Sequence, residues 1–141
     1  MSKNYKAIAI VEQARKSLLE FALYEIKNII QHRIKVGEMD EYNPNDKDAN
    51  PFYEVEIEED SQRPRIPIAV EDTYSLETYS ETRTVSQVLL DAETDTLYIR
   101  TVEGLEAGCD IDNPICINSL DTDSIKWIVV ALEDVWGAEL A

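Results

Sequence analysis

EVEIEED, residues 54–60, decides how this chain is read. Glu54, Glu56 and Glu58 alternate with Val55 and Ile57, the period of a strand with one wet face and one buried face. Tyr53 carries the apolar side one step further back. Downstream, Arg63-Pro64 marks a turn, and Ile66, Ile68 and Val70 repeat the alternation in a second strand. Pro67 has no backbone donor, which puts that strand at a sheet edge. Residues 83–90 (RTVSQVLL) and 96–102 (TLYIRTV), joined by DAETD, read as a hairpin, and ICINSL as a last short strand.

Upstream the period changes. Over residues 4–34, Ile8, Val11, Leu18, Leu19, Ala22, Ile26, Ile29 and Ile30 fall in one stripe at about 100° per residue, with Lys6, Gln13, Lys16, Glu20, Lys27 and Gln31 opposite. Asn4 is a candidate cap; His32, Arg33 and Lys35 before Gly37 form a basic last turn with a glycine stop. AIAIV, residues 7–11, is β-branched enough to be read alternatively as a short strand. A helix over this span is roughly 46 Å long, against a diameter of about 37 Å for a compact domain of this size. Ile10, Ala14 and Phe21 also lie off the main stripe, so part of the helix is expected to contact something else. Residues 36–51 are a polar connection. At the far end Asp121 is placed to cap a helix over 121–137, Leu120 and Ile125 to staple it, and Gly137 to end it. Trp127 and Val130 fall on its other side.

The chain has 141 residues, 44% of them hydrophobic, which suits a single domain with a real core. Its net charge of −16 is unevenly spread. Residues 1–35 carry seven bases and three acids, net +4; residues 36–141 carry six bases and 26 acids, net −20. Such a body repels nucleic acid and anionic membrane and suits a basic partner. No apolar run nears the ~20 residues that cross a bilayer. The opening MSKNYKAIAIVEQARKSLLE has Glu12 and Gln13 directly after a short apolar stretch and no small-residue cleavage site, so it does not read as a signal peptide. With Cys109 and Cys116 as free thiols, a reducing, cytoplasmic setting is expected.

Motifs for chemistry are absent from this reading. The one histidine, His32, sits at a helix end, away from any nucleophile. Gly37, Gly104, Gly108 and Gly137 are too scattered for a phosphate loop. Two cysteines do not make a zinc site, which takes about four ligands. Asp46, Asp48 and Asn50 alternate like the start of a calcium loop, but Pro51 and Ile57 stand where glycine and glutamate are required; Asp91, Glu93 and Asp95 fail in the same way. With 29 acids, some carboxylate pair always lies at catalytic spacing, so that signal has no specificity. No enzyme, metal or cofactor is expected.

The strand-turn-strand VLLDAETDTLYIRTVEG followed by INSLDTDSIKWIVVALEDV resembles the C-terminal module of small acidic bacterial proteins of unknown function, many from phages and mobile elements. The similarity covers residues 83–137 and implies an α+β module. The expected fold is therefore α+β: a long N-terminal helix and a C-terminal helix flanking a mostly antiparallel sheet of four or five strands. The expected function is non-enzymatic protein binding, as an accessory or assembly component, with self-association or a protein partner on the N-terminal helix. Ile10, Phe21 and Trp127 are the candidate apolar anchors, and Glu54, Glu56 and Glu58 a candidate acidic face. Carboxylates two apart on a strand stand roughly 7 Å from each other, near the phosphate repeat of a nucleic-acid strand. The alternative function is therefore an acidic inhibitor that mimics DNA; for the three glutamates themselves the preferred reading is a plainly solvated outer face.

Overall fold

The computed structural model describes residues 2–140 apart from 60, 61 and 73, with side chains described from residue 12 onward. Its elements are α1 (Ser2–Lys35), β1 (Phe52–Glu56), β2 (Arg65–Glu71), β3 (Thr78–Asp91), β4 (Thr96–Thr101), α2 (Val102–Glu106), α3 (Cys109–Asp112), β5 (Ile115–Cys116), a 3-10 turn at Ile117–Ser119, and α4 (Thr122–Leu140). The class is α+β, with an antiparallel five-stranded sheet between the terminal helices in the chain.

Strand β3 organises the sheet. Its first half, Thr78–Thr84, pairs with β2, and its second half, Gln87–Asp91, with β1. Strand β4 pairs along that second half, and β5 adds to β4. The switch of partner coincides with a bulge at Ser86, between Val85 opposite Thr101 and Gln87 opposite Arg100. The sequence requires it: Val85, Val88 and Leu90 all enter the core, yet Val85 and Val88 are an odd number of residues apart. One extra residue restores the pleat. Ser86, itself buried, donates its hydroxyl to the Arg100 carbonyl. Among the described residues β2 has β3 as its one neighbour, which leaves Pro67 on an edge strand.

Tyr53, Val55 and Ile57 point to the core while Glu54, Glu56 and Glu58 are exposed, so the alternation in the opening stretch has the expected register. On that core side, Ile66, Ile68, Leu97 and Ile99 join Ala22, Ile26, Ile29 and Ile30 of α1 and Ile125, Ile128 and Leu132 of α4 in one cluster. Both helices lie on this face, side by side and running the same way. Arg15 Nη2 donates to the Asn118 carbonyl at 2.6 Å near the start of α4, and Arg33 grips Glu139 at 3.1 and 2.8 Å near its end.

Several boundaries differ from expectation. Helix α1 runs through 7–11 without a strand and begins at Ser2, which leaves Asn4 inside it rather than capping it. Its C-terminus closes as expected on Gly37, at φ 81°: the Glu38 amide reaches the Arg33 carbonyl and the Gly37 amide the Ile34 carbonyl. Asp121 caps α4 by accepting from the Ser124 amide at 3.0 Å, and Leu120 and Ile125 are both buried as a staple requires. Gly137, however, does not end α4, which continues to Leu140, where Glu139 is held by Arg33. ICINSL is a strand only at Ile115–Cys116 before tightening into the 3-10 turn. Helices α2 and α3 occupy the stretch between the hairpin and Ile115–Cys116, to which the sequence assigns no element.

Candidate partner-binding surface

Helix α1 owes its two faces to its length of sequence without glycine or proline and to where its large residues fall. The inner stripe is consumed by the sheet and by α4. Phe21 and Tyr24 lie outside it, 45% and 61% exposed, with ring centroids 6.2 Å apart. Ser17 and Ala14, one and two turns before Phe21 on the same side, are exposed as well. Ile10 belongs to residues 1–11, whose side chains lie outside the described set.

Between the helices the contact is polar at several points. His32 meets Trp136 edge-on at 5.7 Å. Glu25 is only 6% exposed. Burial, with Glu133 of α4 adding to it, raises its pKa above the ordinary 4.5. At the shared C-terminal end, α4 has no base in its last turn, whereas α1 has His32, Arg33 and Lys35. The parallel dipoles place two negative ends together, and Arg33 and Lys35 of α1 lie at that end, with Arg33 paired to Glu139 of α4.

Trp127 is 56% exposed and sits apart from Phe21, over a cavity of about 200 Å³ that it shares with Arg63, Pro64, Arg65, Val130 and Asp134. The two aromatic anchors therefore do not form one patch. The three glutamates are also divided. Glu54 accepts from Arg100 Nη1 at 2.7 Å and borders a cavity of about 510 Å³ with Met39, Asp40, Tyr42 and Phe52. Glu56 lies 3.6 Å from Arg63, and with Glu58 it lines a different cavity, of about 410 Å³, beside Arg33, Asp134, Val135 and Glu139.

Arg100 is the residue that sequence reasoning passed over. Beyond Glu54 it donates to Gln87 and to the carbonyls of Asp110 and Ile111, tying β1, β3 and β4 to α3. Beneath it the buried Asp110 carboxylate accepts from both the amide and the hydroxyl of Thr101 at 2.8 Å, and that hydroxyl in turn accepts from the Gly104 amide. A Cβ on Gly104 would lie 2.1 Å from Asp110 Oδ2, so glycine is required there for packing. Glu103 accepts from the Thr84 amide; its pKa is lowered, because that bond and Arg83 outweigh the opposing effect of burial. Cys109, exposed, and Cys116, half-buried, are free thiols. The Cys109 thiol donates to the Gly104 carbonyl at 3.5 Å and lies 3.8 Å from Asp110 Oδ1, which ties it into the same cluster.

Among the described residues, no group of three or more His, Cys, Asp or Glu side chains is placed to hold a metal ion, and no helix is long and apolar enough to cross a membrane. No family model, no curated protein and no solved structure matches the chain.

Proposed function

We propose that this chain is a non-enzymatic, acidic protein-binding domain, an accessory or assembly component that engages its partner through the outer face of α1. The observation that supports this reading is the adjacent pair Phe21 and Tyr24, exposed on a helix whose opposite face is fully used. Large aromatics of this kind dominate interface energies. The reducing, cytoplasmic setting belongs to the same proposal and rests on the two free thiols; the mobile-element setting rests on the resemblance of residues 83–137. DNA mimicry receives less support. It needs a continuous row of carboxylates, and Glu54 and Glu56 are held by different arginines and border different cavities.

The test is affinity capture from the native host with wild-type protein and with Phe21→Asp, followed by titration of the captured protein in purified form. The reading expects Phe21→Asp to stay folded and to weaken binding by roughly thirtyfold or more, as loss of a hot spot does. It also expects modest salt dependence, where charge mimicry weakens steeply with ionic strength. Equal affinity of both proteins would refute it.

A further inference from the structure

The outer face of α1 has a repeat of its own. Ala14, Ser17, Phe21, Tyr24 and Asn28 follow one another at alternating steps of three and four, the spacing of a seam between two helices. The first four are exposed and Asn28 is half-exposed, so the seam runs unpartnered along the side of α1 away from the sheet. Its sizes are ordered: small, small, large, large. Reversing the helix about a point midway between Ser17 and Phe21 lays Phe21 on Ser17 and Tyr24 on Ala14, each large ring over a small residue. An antiparallel pair of identical helices has that symmetry, and a two-fold contact makes each match twice.

From this self-complementarity we infer that the partner of the α1 outer face is a second copy of this chain, docked antiparallel about a two-fold axis between Ser17 and Phe21. The inference rests on the reading of that face as a binding surface and names its occupant. Charge opposes this contact less than it opposes one between the two bodies. Residues 36–141 carry net −20, so two copies meeting through their bodies would set acid against acid. Residues 1–35 carry net +4, and Lys16, 4.0 Å from Glu20, offsets the one acid that the two-fold axis brings near its own copy. At ~150–250 Å² per aromatic side chain, the exposed parts of Phe21 and Tyr24 offer roughly 400 Å² of ring surface across two copies. Specific interfaces bury about 1,200–2,000 Å², so the rings supply the centre of a small interface and the dimer is concentration-dependent.

Sedimentation equilibrium of the full chain from about 1 μM to about 1 mM, the span over which weak dimers populate, tests this. Wild type is expected to pass from monomer to dimer with rising concentration. Phe21→Asp, checked for an unchanged circular dichroism spectrum, should raise the dissociation constant roughly thirtyfold or more. The double variant Ser17→Phe, Phe21→Ser exchanges ring and small residue across the axis and should restore the dimer, whereas Ser17→Phe alone sets ring against ring and should weaken it. A wild type monomeric throughout, a dimer indifferent to Phe21→Asp, or a folded double variant that stays monomeric overturns the inference. A monomeric wild type that still loses a captured host protein on Phe21→Asp overturns only the second copy as occupant and leaves the binding face standing.

Discussion

Glu54 and Val55 are neighbours in β1 that face opposite sides of the sheet, so substitutions there separate charge from burial. Changing Glu54, Glu56 and Glu58 together to glutamine keeps an acceptor for Arg100 and is expected to alter stability by less than roughly 1 kcal/mol. Val55→Asp, at a fully buried position, is expected to cost about 3 kcal/mol or more by placing a carboxylate among apolar side chains. Urea denaturation of the two variants measures the contrast; equal losses would mean that the register of β1 is wrong. This register was legible because alternation is a local property of the sequence. The partner of Glu54 was not, because Arg100 reaches it only through the pairing of β1 and β4 with β3. Asp110 was equally hidden: in the sequence it is one acid among 29, and its burial depends on Thr101 and Gly104 closing around it.

At the scale of elements, α1, α4 and the β3–β4 hairpin could be read because each carries its own period and end signals. Helices α2 and α3 carry neither. VEGLEAGCDID has no apolar repeat, and its turns are held from outside the segment by Arg100 and Thr101, both of which donate to Asp110. The end of α4 was misplaced for a related reason: Gly137 favours a stop, but Arg33 holds Glu139 beyond it, which a local reading cannot contain. The α1–α4 contact also sets a pH dependence. Glu25 has a raised pKa in the folded protein, so between 4.5 and that higher value the folded state binds more protons than the unfolded one. Its contribution to stability therefore falls as pH rises through that window, and the charged form opposes folding above it. Glu25→Gln should raise the melting temperature at pH 7, and the gain over wild type should shrink as the pH is lowered toward 4.5. A gain that is constant with pH would show that packing alone, and not charge, is responsible.

For the whole molecule the dominant quantity is a net charge of −16. Mutual repulsion destabilises the compact state, while the surface pairs Lys16–Glu20 and Lys27–Asp95 return little. Raising sodium chloride from about 10 mM to about 200 mM shortens the screening length from roughly 30 Å to under 10 Å, and the melting temperature is expected to rise over that range; a fall would mean that local pairs outweigh the global charge. The parallel placement of α1 and α4 has a consequence in time. The residues that tie α1 to the turn before α4 and to the end of α4 are 103 and 106 positions apart in the chain. A ribosome adding ~5–20 residues per second needs roughly 5–20 s to make that stretch. Through that interval Ile26, Ile29 and Ile30 are already made while the helix that covers them is not. A nascent or truncated chain that stops before residue 121 has the sheet strands but not α4, so the part of that stripe that α4 covers stays unsheltered in this unfinished form.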